Sequence, residues 1–152
     1  MNGNRRTATL LALSLGLLAA CGEERLTYDS LAGEYTLQDI DGSPPPVVFD
    51  SSDVRILVVT GGLLTMLPAG EYILRTDLHV TRFAMGNSTE SDSTAWQTGA
   101  FTIDEDLLIM ETTTTGVLLF ATVSGPSIRV ALPEEDGLGI LVTYVRSGDV
   151  FD

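Results

Sequence analysis

The chain has 152 residues, 21 acidic against eight basic side chains, a net charge of −13 and a single cysteine. A surface of that sign repels phosphate backbones and anionic headgroups, which argues against nucleic acid as a partner. One cysteine cannot form an internal disulfide, and the length suffices for one domain with a single core and no metal staple.

The first twenty residues divide into a basic stretch, Met1 to Arg6, and an apolar run, Ala8 to Ala20. The run is too short to span about 30 Å of hydrocarbon comfortably as a helix. It closes on Leu18-Ala19-Ala20-Cys21, which resembles the lipobox of bacterial lipoproteins. That resemblance implies a signal peptide over residues 1–20 and a lipid such as palmitate on Cys21, which becomes the first mature residue. It also implies attachment to the cell envelope by a membrane anchor. Gly22, where an acid would signal inner-membrane retention in some bacteria, favours the outer membrane, on its periplasmic or surface side. An uncleaved buried or membrane helix is the alternative reading of the same run. The Arg5-Arg6 pair lacks the bulky residues of a twin-arginine signal after it, so ordinary secretion is expected.

With the leader removed, six arginines face 21 acids and lysine is absent. Residues 21–32 are polar and charged and read as a flexible tether. Tyr28 and Leu31 are its apolar exceptions, placed to dock onto the domain that follows.

From residue 33 the pattern is all-β: short runs of β-branched and aromatic residues alternate with turn signals, and no helical stripe exceeds two turns. Glu34 to Gln38 opens the series, with a phase slip near Asp39-Ile40 and a stiff connector at Ser43-Pro44-Pro45-Pro46. Val54 to Leu67 carries Ile56, Val58, Leu64 and Met66, with Gly61-Gly62 predicting a bend. Glu71 to Phe83 alternates most cleanly, with Tyr72, Leu74, Leu78 and Val80 inward and His79 outward. Ala84 to Ser93 has no period and is expected to be a mobile loop.

Trp96 to Ile103, Leu107 to Thr112, Val117 to Ser124, Ile128 to Leu132 and Leu138 to Arg146 complete eight strands with short connections, which favours an up-and-down meander. Thr102-Ile103, Leu108 and Met110 are echoed twenty residues on by Thr122-Val123, Ile128 and Val130, so two hairpins share one in/out phase. Leu63, Leu67, Ile73, Leu107, Ile109, Leu118 and Phe120 fall on the outward phase, where a contiguous patch would suggest a partner. The lone tryptophan, Trp96, is out of phase with Phe101 unless Gly99 marks a bulge. It is expected to plug a barrel end, with a rim contact as the alternative.

Gly33-Glu34-Tyr35-Thr36-Leu37, Asp41-Gly42-Ser43-Pro44, Gly99 to Ile103 and Thr143-Tyr144-Val145-Arg146 resemble lipocalin-like domains of bacterial lipoproteins. In lipocalins proper a tryptophan stands where Tyr35 stands here. The resemblance implies a small eight-stranded antiparallel barrel over residues 33–147, followed by a tail over 148–152, with no enzyme activity attached. In some of these domains the interior is an apolar cavity. Its lining here would be Tyr35, Leu37, Leu64, Met66, Tyr72, Leu74, Leu78, Phe101, Leu108, Met110, Val123 and Ile128. An eight-stranded barrel is just wide enough to be filled by side chains or to hold one small ligand.

Catalytic constellations are not expected. His79 is the only histidine, and no nucleophile-elbow motif accompanies it. The acidic runs Asp104-Glu105-Asp106 and Glu134-Glu135-Asp136 lack the alternate spacing of calcium loops, and a zinc site lacks ligands. No cofactor or metal is implied. The expected role is non-catalytic binding of a small apolar ligand or an envelope partner. The alternative is a structural or inhibitor-like interaction module with a filled barrel.

Overall fold

A computed structural model describes residues 25–133 and 139–148. The chain enters through a one-turn helix, α1 (Tyr28–Leu31), followed by β1 (Gly33–Ile40), β2 (Val47–Ser51), β3 (Arg55–Met66), β4 (Glu71–Ala84) and β5 (Asn87–Asp104). Four shorter strands complete it: β6 (Leu107–Thr112), β7 (Leu118–Ser124), β8 (Ser127–Leu132) and β9 (Ile140–Gly148). Strands from β3 to β9 are neighbours in chain order, β9 pairs with β1, and β1 pairs back onto β3. Eight strands thus form a closed antiparallel barrel, and β2 lies outside it on the first half of β3.

Alternation builds the wall. Leu108, Ala121, Val130, Val142 and Ile40 stand opposite one another around β6, β7, β8, β9 and β1, and all five are buried. Side chains two apart on a strand share a face, so one buried rung fixes the phase of the next. The two hairpins expected to share a phase do so: Leu108, Met110, Ile128 and Val130 are all buried. Burial of each large apolar side chain stabilises the fold by about 1.5–3 kcal/mol.

The expected irregularities appear as register shifts. One lies between Leu37 and Asp39 in the β1–β9 ladder, the other between Val59 and Gly61 in β3–β4. Gly62 needs its missing side chain, because a Cβ there would stand 3.0 Å from the Arg75 carbonyl and 3.4 Å from Leu37.

Two expectations are corrected and one strand is added. Tyr28 and Leu31 dock onto the domain as expected, but residues 28–32 are not free tether: Tyr28–Leu31 is helical, with Thr27 and Ser30 bonding reciprocally across the first turn as a capping box. Leu31 supplies the apolar anchor that holds it. The loop expected over Ala84 to Ser93 is instead a two-residue turn and the start of β5. Met85 (φ 48°) and Gly86 (φ 81°) both lie in the left-handed region, the geometry whose twist matches the flanking strands of a hairpin. The missing period in Asn87–Gln97 reflects a strand exposed on both faces. Finally, β2 was not expected. Its Val47-Val48-Phe49 run was masked by the prolines before it.

Candidate functional site: the barrel interior and the projecting sheet

The interior is occupied by the chain's own side chains. Of the residues expected to line it, all but Leu78 and Val123 are buried, and those two are half-buried and pack on the same cluster from its margin. Leu119, Ala121, Val142, Tyr144, Val59, Ile40 and Leu31 join them. Leu119 follows from the outward assignment of Leu118 and Phe120, and Tyr144 from alternation with Val142. Leu31 carries no periodic signal. Two buried tyrosines find polar partners: the Tyr72 hydroxyl lies 3.2 Å from Thr112 Oγ1, and the Tyr35 hydroxyl donates to the Leu31 carbonyl at 2.9 Å. Burial pushes the pKa of the Tyr144 hydroxyl upward.

One end of the barrel is closed by α1. Leu31 is 2% exposed within the core, and the Tyr28 ring tilts against Phe101 with centroids 5.3 Å apart. Arg146, at the end of β9, donates to the carbonyls of Ser30 (2.9 Å) and Ala32 (2.6 Å) and lies over the Tyr35 ring. Those carbonyls belong to a helix too short to satisfy them itself, so the guanidinium caps it. Two clefts of about 740 and 660 Å3 flank this helix, lined mainly by Arg25, Leu26, Tyr28, Ile103, Asp106 and Pro126. They lie at the rim, and the second reaches the edge of the core, where Leu31, Tyr35 and Val123 line it.

No family model, curated protein or solved structure matches this chain.

At the end opposite α1, β3, β4 and β5 run on past their barrel neighbours. The β4–β5 ladder continues without a shift from Glu71–Ala100 to Ala84–Asn87, whereas β6 pairs with β5 only from Gly99 to Asp104. The result is a sheet of β2, β3, β4 and β5 that projects from the barrel. Its tip exposes Val54, Phe83 and Met85, with Val48 and Phe49 exposed on β2.

Trp96 belongs to this sheet and does not plug the barrel. It is 62% exposed and stands opposite Arg75. The register passes through Gly99 without a bulge, so Phe101, Gly99 and Gln97 share the inner face and Trp96 takes the outer one.

The outward apolar residues separate into two groups. Ile109, Phe120, Ala131 and Leu141 form one rung across β6 to β9, whereas Leu63 and Ile73 lie around the barrel on β3 and β4.

His79 lies on the outer face of the projecting sheet, with Nδ1 2.8 Å from Asp92 Oδ1 and Nε2 3.9 Å from Glu90. The hydrogen bond to Asp92 raises its pKa above the ordinary 6.5, with Coulombic help from Asp92 and Glu90 against a desolvation penalty. Because the folded value is the higher one, the protonated pair's contribution to stability is complete below 6.5 and lost as pH rises through the folded pKa. An NMR titration of this sole histidine should show the raised midpoint in the wild type. In Asp92→Asn the midpoint should fall back toward the ordinary value. Equal midpoints in the two proteins would mean that the pair does not form.

Among the described residues no group of three or more histidine, cysteine, aspartate or glutamate side chains is placed to hold a metal ion. Asp104, Glu105 and Asp106 are exposed around the β5–β6 turn. Cys21, the 134–136 acidic run and the C-terminal tail from residue 149 lie outside the described residues.

Proposed function

We propose that the protein is a non-catalytic, lipid-anchored envelope module that binds another protein, with the filled barrel as a rigid scaffold and the projecting sheet as its contact surface. The observation that carries this reading is the packed interior: Leu64, Met66, Tyr72, Leu108, Met110 and Ile128 are almost wholly inaccessible, and Leu31 closes the end. A barrel used as a ligand carrier needs an apolar space left open to a mouth.

Anchoring at Cys21 is supported by its lipobox-like context. Arg25 lies beside α1, and the Gly70 turn that precedes β4 packs against Tyr28. From there β4 runs 14 residues to the far tip, about 45 Å at strand rise. A chain held at Cys21 would therefore present the sheet away from the lipid surface. Several buried acyl chains, each methylene contributing about 0.8 kcal/mol, would make such an anchor long-lived.

Native mass spectrometry of the purified protein tests the binding class. The expected spectrum shows the chain with its covalent lipid and no non-covalent ligand, and a stoichiometric small apolar ligand retained through purification would return the ligand-carrier reading to first place. Anchoring is tested separately by fractionation. Cys21→Ser should lose both lipid labelling and membrane retention, and a variant that still sediments with membranes would remove the anchor from the proposal.

A further inference from the structure

The free edge of β5 is the most unusual surface of the fold. Phe101 N–H bonds back to the Gly70 carbonyl, and the Thr98 carbonyl accepts from Thr113 N–H on the opposite side. In an unshifted antiparallel ladder this parity continues along the strand. Odd residues of β5 therefore address β4, and Ser88, Glu90, Asp92, Thr94 and Trp96 turn their N–H and C=O groups toward the open edge. Among the described residues no strand pairs with that edge.

Soluble proteins normally blunt an exposed edge with lysine, proline, a bulge or a covering segment. Here Asn87 to Gln97 holds no lysine or proline, and its ladder with β4 has no register shift. The only charges on the stretch are Glu90 and Asp92, both on the outer face.

We propose that β5 is a strand-addition site for an extended, basic segment of a partner protein. This rests on the protein-binding reading above and names the partner's chemistry. The guest's main chain would bond to the open groups of Ser88, Glu90, Asp92, Thr94 and Trp96. On the outer face, its alternate side chains would pass Glu90, Asp92 and the exposed Trp96 ring, where lysine or arginine finds both opposite charge and an aromatic face. On the inner face the neighbours are Ser91, Ser93 and Ala95, small enough to admit bulkier guest side chains beside Leu78, which stands opposite Ser93. Charge selects the occupant. The edge strand carries two acids and no base of its own, with only His79 of β4 beside them, and the whole chain carries a net charge of −13, which draws in a cationic segment and repels a second copy.

The test uses a pool of peptides, each about twelve residues long, with lysine or arginine at every second position and Val, Ile, Thr or Tyr between. Binding reads out through Trp96, the only tryptophan, and through hydrogen exchange. The expected result is a saturable fluorescence change with exchange slowed about tenfold or more at the amides of Ser88, Glu90, Asp92, Thr94 and Trp96. N-methylation of the guest on its pairing edge should weaken binding about tenfold or more, which charge attraction alone would not produce.

Thr94→Pro removes a donor that faces the open edge and leaves the β4 ladder intact, so it should fold and yet fail to bind. Should it not fold, the N-methylated guests make the same distinction on the wild-type chain. Three outcomes overturn the proposal: no member of the pool protecting these amides, N-methylated guests binding equally well, or sedimentation showing a dimer that uses this edge. Any of them, with a ligand-free mass spectrum, leaves the protein-binding reading standing. A bound small ligand would count against that reading and leave the edge result as measured.

Discussion

Gly99→Ala is expected to destabilise the protein by at least about 3 kcal/mol, lowering the melting temperature by about 10 °C or more. Gly99 sits where β5 leaves β6 and runs on into the projecting sheet, pairing with Tyr72 on one side and Thr112 on the other. A Cβ there would fall inside the van der Waals envelope of the Glu111 carbonyl oxygen and 2.6 Å from the Tyr72 ring. The carbonyl belongs to a paired strand, so relief requires β6 to move. Displacing the ring breaks the buried contact between Tyr72 and Thr112. Gly61→Ala is the control, since its nearest neighbour is an Asp77 carboxylate oxygen at 3.5 Å, and it should shift stability by less than about 1 kcal/mol. Denaturant melts of the two variants decide the matter. If Gly99→Ala melts with the wild type, β5 and β6 do not approach so closely.

Leu31→Ala carries the second large effect, a loss of about 2–5 kcal/mol with an opening in the apolar interior. A leucine in a free tether would cost less than about 0.5 kcal/mol to truncate, so the measurement separates a structural α1 from a passing linker. The surrounding bonds favour the larger figure. Arg146 holds the Ser30 and Ala32 carbonyls, and the Tyr35 hydroxyl holds that of Leu31, so the helix stays in place and the void cannot close by its withdrawal. A dry apolar void of this kind takes up small hydrophobic molecules. Leu31→Ala should therefore bind an apolar fluorescent probe that the wild type excludes. Equal uptake by both proteins would mean that the wild-type interior is already open.

These expectations rest unequally on the sequence. Where one face of a strand is buried, alternation is enforced by the core and can be read directly, as in Tyr72 and Leu74 or Leu108 and Met110. The bend near Gly61-Gly62 and the slip near Asp39 could be read because each breaks that alternation. Asn87 to Gln97 could not. Both its faces meet solvent, so nothing imposes a period, and its serines and threonines read equally as loop or strand. The face that Trp96 takes is illegible for the same reason, since its phase depends on an unbroken register through Gly99 that only the β4 partner reveals.

The sequence alone determined an all-β domain, its turns and the inward side of most strands, because each depends on neighbours one or two residues away. Tertiary structure decided the rest. Closure of β1 onto β3 pairs residues some thirty positions apart, and no local pattern encodes that meeting. The seating of Leu31 in the barrel end required Arg146, more than a hundred residues later, to cap a helix of four residues. The open edge of β5 exists only because β6 stops pairing at Gly99 while β4 continues, a mismatch in strand length that becomes visible once all three lie side by side.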